Sequence, residues 1–378
     1  MTSRLLNIQC ILPPHMQSHI AQHGTDTQRS RALQTLQLTD QMRAARQAIA
    51  GAPAQASPAV AQPAAAAAKQ RIVYGANNTT ILPGQVLRRE GEPATGDLAV
   101  DEAYVGAGAT YDLYWEIYQR NSVDGKGLRL DSSVHYDKNY ENAFWNGQQM
   151  VYGDGDDDLP PEQRIFNRFT IAIDVIGHEL THGVTQYTGN LDYSNQPGAL
   201  NESFSDVFGS LVKQYKLGQP AQNADWIIGQ GLFTANVKGV GLRSMKAPGT
   251  AYDDPVLGKD PQPATMQNYV TTTDDDGGVH INSGIPNHAF YLTATAIGGF
   301  AWVKAGKIWY VTLRDKIQTN SNFQDAANLT YATAGELFGV NSLEQQAVSQ
   351  GWAGVGISVT QAEKPGCLPG LQKMLLGR

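Results

Sequence analysis

In the stretch IDVIGHELTHGVTQ, residues 173–186, His178 and His182 stand four residues apart, and Glu179 follows the first. On a helix this separation stacks two side chains one turn apart on a single face. Imidazole nitrogens suit zinc, and two at this spacing can grip one ion. A hydrolytic zinc site also needs a third protein ligand and a coordination position left open for water. A carboxylate beside the first histidine could then accept the proton of that water. The histidine pair alone fits a metal helix and an ordinary helix with three polar side chains equally well.

The third ligand must come from a second element. GALNESFSDVFGSLV, residues 198–212, offers Glu202. Leu200, Phe204, Val207 and Phe208 around it give this helix a buried face, on which an idle carboxylate would be costly. The Gly-, Asn- and Pro-bearing stretch 187–198 can reverse the chain between the two helices. The predicted arrangement is an antiparallel pair that faces His178 and His182 against Glu202.

Around this pair the chain reads as α+β. Strands are expected at 71–75, 128–137 and 148–156, with a helix at 100–120. From about Phe166 the pattern turns helical, with later helices expected at 283–297, 301–317 and 324–338. Residues 29–49 repeat Leu33, Leu36, Met42, Ala45 and Ile49 at helical spacing. The Ala/Pro/Gln stretch 51–69 reads as an exposed linker open to proteolysis. The expected division is a detachable front piece at 1–70, lobes at 71–176 and 177–352, and a peripheral tail at 353–378.

The chain of 378 residues has room for two domains, and 41% hydrophobic content suffices for a sizeable core. A net charge of −7 argues against a general nucleic-acid binder. Residues 1–70 hold six basic and two acidic side chains, a charge of +4, so the remainder carries −11. A basic front piece on an acidic body can dock by charge, or it can be a solvated tail. Cys10 and Cys367 are too few for a disulfide framework or a thiolate zinc site. No run of about 18 apolar residues is present, so no membrane span is expected. The N-terminus lacks the apolar core and cleavage pattern of a signal peptide, which predicts a cytoplasmic location or export by a non-standard route.

HELTH followed by ALNESFSD resembles the thermolysin family of zinc metallopeptidases, and the resemblance extends over most of residues 128–352. SSVHYDKNYENAFWNGQQMVYGDGD, GLRSM and DGGVHINSGIPNHAFYL are similar to that family in the same order. The short front piece with its ILPP resembles the pro-segment of protealysin-like members. The resemblance implies a two-lobed zincin fold, with a β-rich N-terminal lobe, a mainly α C-terminal lobe and the zinc in the cleft between them. It implies zinc on His178, His182 and Glu202, with Glu179 as general base. Tyr193 and His280 would stabilise the oxyanion, and Asp275 would orient His280. Asn201 and Asp206 would partner the zinc histidines. Asn142 and the Ala143 carbonyl would bind an extended peptide as an added strand, and Arg243 would hold a substrate carbonyl. Phe166, Phe169, Val175 and Leu242 fall where the family builds its apolar pocket for the residue after the cut. The resemblance also favours eventual secretion.

Two regions depart from the family pattern. Asp174 and Asp225 match ligands of the family's double calcium site, but Lys213, Ile227 and Gln230 replace others. Lys213 is therefore expected to act as an internal cation, with that double site absent and calcium possible elsewhere, as near GDGDDD at 153–158. Ile171 and Ala172 stand where the family usually carries a glycine pair linked to hinge motion. Cys10 could reach the zinc as a thiolate or be a simple buried thiol. The functional expectation is a monomeric zinc endopeptidase acting on protein or peptide substrates, made as a precursor whose pro-segment blocks its own cleft. An aminopeptidase would need acidic groups for a free amine, which the sequence does not visibly provide. A structural-metal protein would fill the fourth zinc position. The remaining alternative is a catalytically silent or metal-dependent binding protein on the same scaffold.

Overall fold

A computed structural model describes the backbone of residues 9–50 and 68–360 and the side chains of 10–41 and 68–360. The predicted linker 51–69 lies almost wholly outside these residues, as do Cys367 and the tail from 361. The N-terminal part contains β1 (Gln9–Cys10), α1 (Pro14–His23), α2 (Asp26–Ala50), β2 (Arg71–Thr79), β3 (Gln85–Arg89), α3 (Leu98–Asp112), β4 (Leu130–Tyr136), β5 (Ala143–Trp145) and β6 (Met150–Tyr152). A π-helical turn, Leu113–Ile117, continues α3. The C-terminal part begins with α4 (Ile173–Gln186) and α5 (Asn195–Leu217). Short strand pairs follow, β7 (Ile227–Ile228) with β8 (Arg243–Ser244) and β9 (Asp253–Asp254) with β10 (Gly258–Lys259). The helices α6 (Asp275–Asn282), α7 (Gly284–Ile297), α8 (Ala305–Asp315), α9 (Phe323–Phe338) and α10 (Leu343–Gly354) complete it. The chain adopts the expected α+β, two-part architecture, and α4 runs unbroken across the expected division at 176/177.

The main sheet has the order β1-β5-β6-β4-β2-β3. The β2–β4 and β4–β6 pairs are parallel and the others antiparallel. Its outermost strand on one side is β1, from the front piece, paired through Gln9 with Trp145 and through Cys10 with Phe144. The stretch NAFW, at which a bound peptide was expected to add a strand, thus already carries one from its own chain.

The metal-helix pair is brought together by two glycines. A Cβ on Gly177 would lie 3.1 Å from the Cα of Gly209, and one on Gly209 would lie 2.4 Å from the carbonyl oxygen of Asp174. Larger residues would push α4 and α5 apart, beyond the reach of an aspartate to the facing histidine. Around them Val175, Ile176, Leu180, Phe204, Val207, Phe208 and Leu211 are fully or almost fully buried.

Several elements differ from the sequence reading. In α2 the buried positions are Gln28, Arg31, Ala32, Thr35 and Thr39, while Leu33 is exposed. The apolar period marked the helix but not its docking face, because the surface it meets supplies carboxylates and carbonyls. The helix α1 was not foreseen. Strand structure at 148–156 shrinks to three residues, since the following run turns to wrap Asp156. Val355 and Ile357, in the expected peripheral tail, are buried core residues. No helix among the described residues is long and apolar enough to cross a membrane.

Candidate active site

His178, Glu179 and His182 on α4 are buried, and each brings one potential ligand atom within 4.8 Å of the others. The two Nε2 atoms lie 3.0 Å apart. Glu202 on α5 places Oε2 at 3.4 Å from His178 Nε2 and Oε1 at 3.4 Å from His182 Nε2. Tetrahedral ligands at zinc–ligand distances of ~2.0–2.1 Å stand about 3.3 Å from one another. Both Nδ1 atoms turn the other way: His178 Nδ1 meets Asp206 Oδ1 at 2.8 Å, and His182 Nδ1 meets Asn201 Oδ1 at 2.9 Å. Donation from Nδ1 leaves the Nε2 lone pairs pointing at a common centre, a disposition a cation relieves. Burial alone would lower His178, but Asp206 and Glu202 outweigh it and raise it to about 9. Burial, helped by the charge on His178, drives His182 down to about 3. The surrounding carboxylates thus favour a cation at this centre; a zinc ion would take the place of the proton on His178 Nε2, and the donor set fits it.

Glu179 faces the same centre. Its Oε2 accepts the Trp145 N–H at 3.0 Å, and its buried Oε1 has no donor. Burial, reinforced by Glu202, holds this carboxyl well above its usual range. Asp206 is clamped by Arg243 Nε and an Arg243 terminal nitrogen, both at 2.8 Å, and by Asn287 Nδ2 at 2.8 Å. Against the cost of burial, Arg243 and His178 bring Asp206 down to about 2.

The opposite wall is built by an unusual turn. Asp275, Asp276, Gly277 and Gly278 all have φ between 52° and 89°. Left-handed backbone over four residues is costly except at glycine and, less so, aspartate, and DDGG fits that demand. The turn folds the Asp275 carboxylate onto His280, Oδ2 taking its N–H at 2.8 Å and Oδ1 facing Nδ1 at 2.6 Å. The other ring nitrogen, Nε2, lies 3.0 Å from the Cys10 carbonyl oxygen. With an acceptor on each side, the imidazolium satisfies both. Burial opposes that form, but Asp275 and Glu202 raise His280 above its ordinary value. The Tyr193 hydroxyl donates to Glu202 Oε1 and lies 3.4 Å from His280 Nε2.

The front piece lies through this site in an extended course. Ile11 N–H donates to the Ala143 carbonyl at 3.1 Å. Leu12 N–H donates to Asn142 Oδ1 at 3.0 Å, and Asn142 Nδ2 donates to the Leu12 carbonyl at 3.4 Å. Arg243 donates to the Ile11 carbonyl at 3.1 Å. Ile11 and Leu12 are buried in the same apolar core as Phe166, Phe169, Val175 and Leu242, with the Phe166 and Phe169 rings 5.8 Å apart. The thiol of Cys10 packs with Tyr136, Tyr140, Phe144 and Val151. Cys10 thus has the surroundings expected of a buried thiol.

Elsewhere, Lys213 Nζ lies 2.8 Å from Asp174 Oδ2, 2.9 Å from Asp225 Oδ1 and 2.5 Å from the Ile227 carbonyl. Ala172 caps α4 in extended backbone with φ −99°, which any residue adopts. Sequence reasoning missed Asn287, Ser205 (whose hydroxyl lies 3.0 Å from His182 Nδ1) and the Trp145 N–H. Asn287 and Ser205 sit inside the quoted motifs, but a main-chain donor leaves no mark in a sequence.

Comparison with known proteins agrees with this geometry. The model for the thermolysin metallopeptidase catalytic domain matches residues 25–186, and that for the family's alpha-helical domain matches 189–357. An extracellular metalloprotease of Pectobacterium carotovorum subsp. carotovorum is 50% identical over 352 residues, covering 93% of this chain and 97% of its own length. Protease PrtS of a Photorhabdus species is 51% identical, covering 78% of each chain. The solved precursor of protealysin, a metalloproteinase from Serratia proteamaculans, superposes with a TM-score of 0.81 at 51% identity, over 93% of this chain and all of the other. With both halves matched by the family's domains and a half-identical relative spanned almost end to end, the chain belongs to the thermolysin metallopeptidase family.

Proposed function

We propose that this chain is the latent precursor of a zinc endopeptidase, with its N-terminal segment lying in the cleft as a substrate peptide would. The observation that carries this reading is the course of residues 9–12. They pair antiparallel with β5 and present the Cys10 carbonyl to His280 and the Ile11 carbonyl to Arg243, beside the buried His178, His182 and Glu202. The Pectobacterium relative is named an extracellular metalloprotease and the structural relative a precursor, which supports a secreted enzyme made with a pro-segment.

His178, His182 and Glu202 would hold the zinc, with Asp206 and Asn201 fixing the imidazole tautomers. Zinc, when bound, polarises the scissile carbonyl and makes water a nucleophile near neutral pH. Glu179, pinned at one oxygen by Trp145, has its second oxygen available to take the proton from water and return it to the leaving amine. Tyr193 and the His280 imidazolium face the carbonyl oxygen, where negative charge grows. Asn142, Ala143 and Arg243 bind main-chain groups, so they recognise an extended backbone of any sequence. Selectivity then falls to the apolar region around Ile11, which favours a bulky apolar residue after the cut.

The test compares Glu179→Ala with the wild-type chain, both loaded with zinc. The wild type should lose residues 1 to about 70 by mass spectrometry and then cleave casein, whereas the variant should bind zinc, remain intact and be inactive. Equal processing of both chains would remove Glu179 from the chemistry.

A further inference from the structure

We propose that the Cys10–Ile11 peptide bond is a second self-cleavage site: the enzyme cuts its own pro-segment inside the cleft, in addition to any cut in the linker. The inference rests on the endopeptidase reading and goes beyond it by fixing which bond stands at the reacting position. Three carbonyls of the segment enter the cleft, and each meets a different group. Leu12 takes the Asn142 side-chain amide at 3.4 Å, and Ile11 takes Arg243 at 3.1 Å. Cys10 faces His280, whose Nε2 lies 3.0 Å from the Cys10 oxygen and 3.5 Å from Glu202 Oε2. Glu202 in turn lies 3.4 Å from both His178 and His182. The carbonyl beside the candidate metal ligands is therefore that of Cys10, and the nitrogen across its amide bond is that of Ile11.

The segment suits a substrate better than a permanent plug. Ile11 is fully buried in the apolar core with Phe166, Phe169, Val175 and Leu242, the region assigned to the residue after a cut. Ile11 and Leu12 both carry the N–H that the Ala143 carbonyl and Asn142 Oδ1 accept, at 3.1 and 3.0 Å. A proline at either place would remove that donor and spoil the fit, but the first proline is Pro13, one residue too late. The cut is an ordinary hydrolysis. Water oxygen bonds to the Cys10 carbonyl carbon, the carbon–nitrogen bond breaks, and Glu179 carries a water proton to the Ile11 nitrogen. A Cys10 carboxylate and an Ile11 amine result, with no co-reactant but water. The cut is slow to become permanent. His15 and Arg31 anchor the Ile11 side, so the new amine stays beside the new carboxylate and the bond can re-form. The other product is held, among the described residues, by Gln9 and Cys10 of β1, and its departure makes the cut final.

In the zinc-loaded wild-type chain, mass spectrometry should find a peptide that ends at Cys10 and one that begins at Ile11. The first-order rate constant of this cut should not change over a dilution of about a hundredfold, as for a reaction within one molecule. Ile11→Ala, which empties the apolar region, should slow it at least about tenfold, while Ile11→Leu should preserve it. A second measurement needs no catalysis. Isotope labels on the cysteine carbonyl carbon and the isoleucine nitrogen mark this one amide for NMR, because Cys367 is followed by Leu368. In the intact Glu179→Ala chain, adding zinc should shift that carbonyl resonance. Casein cleavage and loss of the pro-segment with the Cys10–Ile11 bond intact would overturn the proposal and leave the endopeptidase reading standing. So would a cut whose rate constant rises with protein concentration, or a Cys10 carbonyl resonance that zinc leaves in place. If casein is not cleaved at all, the endopeptidase reading falls and takes this one with it.

Discussion

Replacing Lys213 with methionine tests whether an internal ammonium has taken over the work of a metal. Methionine keeps most of the apolar stem and removes the charge. Asp174, 1% exposed, then keeps a single donor, the Val175 N–H at 2.9 Å, and loses its counter-charge. Breaking a buried pair costs about 3–5 kcal/mol, because the remaining charge is desolvated without compensation. Asp225 is about a quarter exposed, so its loss adds less than about 1 kcal/mol. Asp174 sits in the first turn of α4, where the helix dipole returns about 0.3–1 kcal/mol. The net expectation is about 3–4 kcal/mol, or roughly 6–15 °C in melting temperature for a domain of this size class. Calorimetry in the Glu179→Ala background avoids self-digestion. The double variant Lys213→Met, Asp174→Asn should regain most of the loss, because asparagine keeps the acceptor for Val175 and removes the stranded charge. Lys213→Glu should lose stability without calcium and recover it when calcium is added. A single-variant loss below about 1 kcal/mol, the worth of a surface pair, or a double variant no better than the single, would refute the internal-cation reasoning.

Two further outcomes follow from the site. Asp206→Asn keeps the shape beside Arg243 but weakens the acceptor for His178 Nδ1, and zinc affinity measured by chelator competition should fall about 10–100-fold. Docking of the pro-segment should weaken in acid through His15, whose Nε2 lies 3.1 Å from the Tyr252 hydroxyl and which burial lowers to about 4. Asp275 raises it, while His280 and Arg243 lower it further. A histidine held below its free value of 6.5 favours the docked form above pH 6.5, and the advantage is lost as pH falls towards 4, for a change on the order of 3 kcal/mol. Binding of a fluorescent cleft ligand to the Glu179→Ala chain should therefore strengthen between these pH values, and His15→Gln should flatten the difference.

What could be read from the sequence was chemistry carried by side chains at helical spacing. HELTH marks α4 because 3.6 residues per turn puts both histidines on one face, and Glu202 stands out as a carboxylate among Leu200, Phe204 and Phe208. The unreadable parts are those where backbone or a foreign surface decides. The Trp145 N–H that pins Glu179 has no residue preference. The left-handed turn at 275–278 is permitted by DDGG, yet those letters fit several turn types. The buried face of α2 runs through Gln28, Arg31, Thr35 and Thr39, because the surface opposite it is polar. Hydrophobic periodicity pointed instead to Leu33, which is exposed. A helix that docks by charge and hydrogen bonds hides its interface from any apolar pattern.

That polar interface bears on how a self-inhibited protease is switched on. The contacts of residues 9–12 with Asn142, Ala143, Arg243 and His280 are almost entirely main-chain, so a substrate peptide can make them equally well. They cannot by themselves give the segment an advantage over substrate. Its advantage comes from elsewhere. Pro13 and Pro14 stop the strand after Leu12 and start α1, with Pro14 at the first helical position, where its fixed φ suits the turn. From there α1 and α2 anchor the segment through His15 on Tyr252, His19 on the Val256 carbonyl, Gln28 on the Gln163 carbonyl and Arg31 on Asp156 and Asp158. While the chain is intact, these anchors act at an effective concentration in the millimolar range. Once the linker is cut, the same contacts must hold the segment against dilution. Release then turns on Arg31 and His15, one cationic and one cation-forming group, so protons at His15 should hasten activation without touching the catalytic residues.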